Sequence, residues 1–220
     1  MRKGAVYFMA GTIICYGDSN TYGYDARPYL GARFPENMRW PDILNAWTDW
    51  NVENCGLNGR CIPRYSGEIG VVCSSLHRWS GLASPVWLWI MLGTNDVLRT
   101  PGTTAEVTTE RMERFLKKLM ECEEVAGGAI RLRLISPVHL QPGVWVESDE
   151  MCRESEQLDD LYCELAQTLG IAFTCAGKWD IPVLFDGVHF SEEGHIKFAE
   201  CVMREGLLSL NQDTGASLFS

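Results

Sequence analysis

The 220-residue chain has no Cys-x-x-Cys pair, no excess of basic residues, no internal repeat and no long apolar run. Each absence excludes something. Nine cysteines are present, but none is spaced from another as the ligands of a structural zinc site usually are. Their number is odd and several lie inside apolar stretches, where a thiol behaves as a small buried hydrophobe. Reduced thiols in a cytoplasmic protein are therefore expected. Lys and Arg total 19 against 29 Asp and Glu, a net charge of -10. That balance argues against nucleic acid and against an anionic membrane as partners, because both require a basic face. No stretch approaches the ~18 consecutive apolar residues of a membrane span.

Without a low-complexity linker, the chain reads as one domain over 11–210. It is preceded by a leader or variable terminus at 1–10 and followed by a mobile tail at 211–220. Arg2 and Lys3 ahead of the apolar stretch Gly4 to Tyr16 give a faint signal-peptide pattern. Cleavage in its second half, Gly11 to Tyr16, would remove the strand that leads into the main motif, and cleavage after Ala10 would leave an apolar region shorter than the ~7 residues expected, so export is the minority alternative to a cytoplasmic location.

The hydrophobic share is 46% and the charged share 22%, the balance of a soluble domain with a full core. Thr12 to Tyr16 is short, β-branched and apolar on both faces, which predicts a buried parallel strand. A second strand is predicted over Trp50 to Cys55. Val86 to Leu92 (VWLWIML) is the most apolar run and predicts the central strand. Ala129 to Ile135 follows, with Arg131 and Arg133 alternating as on a partly solvated face, and Ile171 to Cys175 is a last short strand.

Helices are predicted between them. One starts near Trp40, with Pro41 in its first turn, and a short one covers Ile69 to Trp79. A long helix is capped by Thr103 or Thr104 and stopped by Gly127 and Gly128. Another runs from about Glu150 to Leu169 and ends at Gly170, and a final helix is capped by Ser191. Strands alternating with helices predict an α/β fold, an open and mainly parallel sheet covered on both faces. In such sheets the site lies beyond the carboxyl ends of the strands.

Those ends carry unusual polar residues: Gly17-Asp18-Ser19-Asn20 after the first strand, Asn54 to Gly59 after the second, Gly93-Thr94-Asn95-Asp96 after the third, and Asp186-Gly187-Val188-His189 after the last. A serine hydroxyl becomes a nucleophile only when a base removes its proton. His189 is a candidate base, and Asp186, three residues earlier, a candidate for holding its Nδ1–H. His139, on a strand exit after Pro137, is the rival base, whereas His77 and His195 are placed on helices. Asn95, Gly59 and the Ser19 backbone could donate to an oxyanion. Singly, each has a plainer reading: Ser19 as a helix cap, Asp186 in an Asx turn, Asn95 in a turn, Gly59 as a loop glycine at positive φ.

Together they are more specific. Tyr16 to Gly23 (YGDSNTYG), Gly56 to Arg60 (GLNGR), Met91 to Asp96 (MLGTND) and Asp186 to Ser191 (DGVHFS) match, in order and spacing, four blocks of the SGNH or GDSL-type hydrolase superfamily, which the chain resembles. The second and third blocks and the pair Arg39-Trp40 look most like its bacterial arylesterase/acyltransferase branch. The resemblance implies a flavodoxin-like three-layer α/β/α sandwich. It implies Ser19 as nucleophile, Asp186 and His189 as triad partners, and Ser19, Gly59 and Asn95 as oxyanion donors. Gly56 is the other candidate in the second block; Gly59 aligns with the donor position, three residues before Ile62. Asn20 stands where the usual motif has Leu, and Cys61 where the branch often has Thr.

The implied activity is hydrolysis of short, acetyl-type carboxylic esters through an acyl-enzyme, with transfer to alcohols as a further outcome. Neither metal nor cofactor is required. A carbohydrate esterase removing acetyl groups from sugars, and a non-catalytic binding module on the same fold, are the alternatives. The candidate substrate-binding residues are Asp18 and Asn20, which flank the serine, with Tyr22 and Trp145; Tyr24, Tyr29 and Phe34 crowd the same loop. The expected partner is a small-molecule ester. Exposed aromatics, Trp79 and Trp145 among them, are candidates for a homo-oligomer face.

Overall fold

A computed structural model describes residues 10–27, 33–99 and 102–207. The tail expected at 211–220, the leader expected at 1–10 (Ala10 excepted) and Tyr29 lie outside the described residues.

The elements follow one another as β1 (Gly11–Gly17), α1 (Ser19–Tyr22), α2 (Trp40–Trp47), β2 (Trp50–Asn54), α3 (Ser66–Ser80), β3 (Val86–Met91), α4 (Thr94–Arg99), α5 (Ala105–Met120), α6 (Glu123–Ala126), β4 (Ile130–Ile135), α7 (Asp149–Leu169), β5 (Ala172–Thr174) and α8 (Glu192–Cys201). The five strands form one sheet in the order β2-β1-β3-β4-β5, parallel at every pairing. This is the doubly wound order whose switch point falls between β1 and β3, and ligands in such sheets bind at the carboxyl end of that pair.

Strand alternation sends successive side chains to opposite faces. Ile14, Tyr16, Leu88 and Ile90 pack beneath α3, α5 and α7, against Val72, Leu76, Met112, Phe115, Leu158 and Tyr162. Ile13, Cys15, Trp87 and Trp89 face α2 and α8, against Trp40, Leu44 and Phe198. Helices on both faces give the expected three layers. Both faces of β1 and β3 are buried along their whole length, which is why these strands carry no polar alternation.

The local rules that end elements are visible. Ser148, Ser191 and Thr104 cap α7, α8 and α5 through their side chains, and Gly170 closes α7 in the left-handed conformation. The long helix predicted up to Gly127 breaks sooner. Cys122 adopts an extended backbone and starts a separate turn, α6, which Gly127 then closes. α3 begins at Ser66, earlier than apolar periodicity suggests, because Glu68 accepts the backbone N–H groups of Arg64 and Tyr65.

Two expectations are corrected. Arg131 is exposed, but Arg133 is 2% exposed. Its Nη1 donates to Thr174 Oγ1 at 2.7 Å on the neighbouring β5, and its guanidinium lies 5.5 and 5.8 Å from the Trp87 and Trp89 ring centres. A hydrogen bond and two aromatic faces therefore replace the water that a buried arginine would lose. Trp79 is 3% exposed and belongs to the core under α3, so it does not contribute to an aromatic surface; Trp145, 49% exposed, does.

β3 is the middle strand, and Leu88 at its centre is fully buried. Leu88→Ala should lower unfolding free energy by about 2–5 kcal/mol, read from denaturant midpoints with an unchanged m-value.

Candidate active site

β1 ends at Gly17. A β-carbon there would overlap Thr21, so glycine is what lets the chain turn directly into α1. Asp18 caps α1, its Oδ1 accepting the Asn20 N–H at 2.9 Å, and Ser19 becomes the first helical residue. Its hydroxyl is thus presented beyond the carboxyl edge of the sheet rather than used as a cap.

The fourth motif block returns to the same point. Asp186 Oδ1 accepts the backbone N–H groups of Val188 at 2.9 Å and His189 at 3.0 Å, an Asx-type turn that Gly187, at φ 79°, completes. The turn leaves Asp186 Oδ2 2.7 Å from His189 Nδ1, and His189 Nε2 is 3.0 Å from Ser19 Oγ. Asp186 and His189 are almost fully buried. Burial pushes the Asp186 carboxyl up, but the His189 ring and the two backbone donors outweigh it and hold it below the usual aspartate range. The hydroxyl, imidazole and carboxylate therefore form one hydrogen-bonded line. Such a line can take a proton from a hydroxyl and stabilise the imidazolium that results.

His139 is elsewhere. Its Nε2 lies 2.7 Å from the buried Asp159 Oδ2, and His139 lines a separate groove with Gln141, Glu156 and Lys178. His77 is a solvated helix residue beside Glu124. His195 is buried between Phe34 and Phe190, where its Nδ1 accepts the Trp40 N–H; burial pushes its pKa down to about 3, so it stays neutral.

Ser19 and His189 open into a cavity of about 220 Å³ whose wall also includes Tyr24, Asn58, Gly59, Asn95, Leu98, Arg99, Trp145 and Val188. The two candidate glycines separate here. Gly59, at φ 67°, lines the cavity, whereas Gly56 packs tightly on the backbone of Thr21 and Tyr22 and does not. Asn95 sits in the first turn of α4, a helix that the turn-like sequence Thr-Asn-Asp does not announce. One of its Nδ2 hydrogens goes to the Arg60 carbonyl at 3.2 Å, leaving the second for the cavity.

Asp96 fastens this side together. It is fully buried and accepts the Ile62 N–H at 2.9 Å, with the guanidinium groups of Arg64 at 3.1 Å and Arg111 at 3.2 Å. The loop that carries Gly59 is thereby tied to α4.

The expected substrate-binding residues part ways. Trp145 lines the cavity. Its ring meets the His189 ring edge-on at 5.0 Å, Tyr24 covers the imidazole from another side at 4.8 Å, and the Trp145 N–H donates to the Asp186 carbonyl at 3.1 Å. Asn20, Asp18 and Tyr22 do not line it. Asn20 Nδ2 donates to the Val188 carbonyl at 3.0 Å, and Asn20 Oδ1 accepts the Phe190 N–H at 2.9 Å. Its amide is spent on the two residues that flank His189, so it acts as a clamp. Asp18 is buried, with its carboxyl turned to its own helix, and Tyr22 packs under the Arg33 guanidinium. Tyr24, Asn58, Leu98, Arg99 and Val188 are the cavity residues not selected as site candidates from the sequence. Among the described residues, no group of three or more His, Cys, Asp or Glu side chains could hold a metal ion.

The sequence matches the GDSL-like lipase/acylhydrolase family over residues 15–196. The chain belongs to that family. It is a carboxylic ester hydrolase of the SGNH type. No curated protein matches it. Among solved structures it is similar to the native M. smegmatis aryl esterase, with 24% identity, a TM-score of 0.76 and coverage of 91% of this chain and 100% of that one. A carbohydrate acetylesterase from Sinorhizobium meliloti aligns at 23% identity and TM-score 0.76, covering 91% and 99%. A carbohydrate acetylesterase family member from the same organism is 26% identical, with TM-score 0.75 and coverage of 91% and 98%. Among the described residues, no helix of this hydrolase is long and apolar enough to cross a membrane, and its nine cysteines are unpaired.

Asp18 carries a consequence for stability. Burial raises its carboxyl from 3.8 to about 6, although the Asn20 N–H, His189, Thr94 and Arg60 all favour the ionised form. A carboxyl raised in the folded state stabilises fully below its ordinary pKa and loses that contribution as pH rises through about 6. Asp18→Asn should therefore be more stable relative to wild type at pH ~7.5 than at pH ~4, measured as denaturant midpoints at the two values.

Proposed function

We propose that the hydrolase cleaves short-chain, acetyl-type esters through a covalent acyl-enzyme on Ser19, with His189 as general base and acid and Asp186 orienting it. The observation that carries this reading is the line from Ser19 Oγ to His189 Nε2 to Asp186, at 3.0 and 2.7 Å, opening into a small cavity.

His189 Nε2 takes the Ser19 proton as Oγ bonds to the ester carbonyl carbon. The carbonyl oxygen becomes an oxyanion facing the N–H groups of Ser19 and Gly59 and the free Nδ2 hydrogen of Asn95. Donors aimed at charge that appears only in the transition state accelerate the reaction, and each is worth roughly 10²–10³ in rate. Collapse breaks the bond to the alcohol oxygen, which leaves with the proton from His189. Water, deprotonated by the same nitrogen, then attacks the acyl-enzyme and frees the acid, and Ser19 recovers its proton. An acceptor alcohol can take the place of that water, which transfers the acyl group instead. The ionised Asp186 favours the imidazolium at both stages.

A cavity of about 220 Å³ supports a short acyl group, being smaller than the roughly 300–1,000 Å³ of sites that enclose drug-sized ligands. A second reading, deacetylation of sugars, is favoured by the half-exposed Trp145 beside Tyr24 at the rim, a surface on which a sugar ring can stack. The names of the similar structures, an aryl esterase and two carbohydrate acetylesterases, fit the two readings in turn.

Ser19→Ala should lower kcat for p-nitrophenyl acetate by roughly 10³ or more, and equal rates for variant and wild type would end the proposal. His189→Ala should match it while His139→Ala does not. Activity should fall from acetate to octanoate esters, and release of acetate from acetylated xylan would select the sugar reading. Asn20→Leu should reduce kcat by about 10² with little change in KM, because a base displaced by an ångström loses reach while the cavity keeps its shape.

A further inference from the structure

Arg99 ends α4 and lies on the cavity wall with Ser19, Asn95 and His189. Its guanidinium rests against Gly59: a β-carbon built on that glycine would fall on the guanidinium, 2.9 Å from Cζ. Glycine is therefore needed at 59 twice over, for φ 67° and for the space that the arginine fills.

The other arginines nearby are committed. Arg60 donates to the carbonyls of Gly17 and Cys55, and Arg64 and Arg111 pair with Asp96. Arg99 has no hydrogen bond and no carboxylate partner among the described residues. Among the described residues, neither Asp nor Glu lines the cavity. An unpaired guanidinium thus faces the site of a protein with net charge -10, whose long-range field repels anions and so cannot be what gathers them.

We propose that Arg99 is a specificity residue, and that the preferred substrates are esters carrying a carboxylate within its reach. The inference rests on the ester reading above and narrows its substrate class. A guanidinium presents a planar fork that matches a carboxylate in two parallel hydrogen bonds. The carboxylate can belong to the alcohol part, as in an acetylated hydroxy acid, or to the acyl part, as in a dicarboxylic half-ester.

Two matched pairs separate these sources: 4-acetoxybenzoate against 4-acetoxybenzamide, and phenyl hemisuccinate against its terminal amide. Wild type should favour the anionic member of at least one pair by about tenfold in kcat/KM, carried by KM. Arg99→Gln should abolish that ratio and Arg99→Lys should keep part of it, since an ammonium retains the charge but not the fork. The inference is overturned if wild type shows no preference in either pair, or if Arg99→Gln leaves the ratio unchanged; the latter result would mean that the guanidinium serves all esters alike. Binding of the same four compounds to Ser19→Ala, followed by calorimetry, separates this from failure of the ester reading. Binding of an anionic member that Arg99→Gln weakens supports the inference even if no ester is turned over. Equal binding of anionic and neutral members overturns it even if Ser19 proves to be the nucleophile.

Discussion

The site depends on one side-chain amide. Ser19 and His189 are 170 positions apart, and their hydrogen bond requires two separately built turns to meet at 3.0 Å. Asn20 joins them: its nitrogen holds the carbonyl before the histidine and its oxygen holds the amide after it. Both bonds are buried, where they are strong and where losing a partner is costly. A leucine in that place would pack but could not fix the histidine turn by hydrogen bonds. Asn in place of the motif's usual Leu therefore fixes the turn that carries His189, the proposed base, and leaves the serine in place.

The opposite wall has an equivalent fastening in Asp96, which ties the Gly59 loop and two arginines to α4. Two tethers converge on the β1/β3 switch point, one holding the proposed base and the other the proposed oxyanion donors. The aromatic rings of Tyr24 and Trp145 then close over the imidazole. The arrangement places the polar groups of the site where β1 and β3 end, with a mainly apolar core behind them. A parallel sheet with helices on both faces makes this division unavoidable.

Much of this was legible in the sequence for physical reasons. Strands buried on both faces show as unbroken apolar runs, so β1 and β3 stood out, and the polar residues that follow them marked the rim. The terminating Gly170 showed where α7 would end, and the capping Ser191 where α8 would begin. Features that depend on partners distant in sequence were not legible. The amide of Asn20 looks like a substrate contact until its two backbone partners are known. Arg133 suggests solvent until Trp87, Trp89 and Thr174 surround it. Trp79 gives no sign of its burial within a short, weakly periodic helix. α4 was missed because Thr-Asn-Asp is equally good turn chemistry, and Arg99 was missed with it.

The two halves of the centre also differ in when they come into being. The hydroxyl belongs to the first strand–helix turn, while the imidazole follows 170 residues later, just ahead of α8. At translation speeds of about 5–20 residues per second, a nascent chain carries its serine for roughly 10–30 seconds before the proposed base, His189, is made. On the proposed mechanism, a ribosome-bound fragment that lacks His189 lacks its base, and competence arrives only with the last part of the fold.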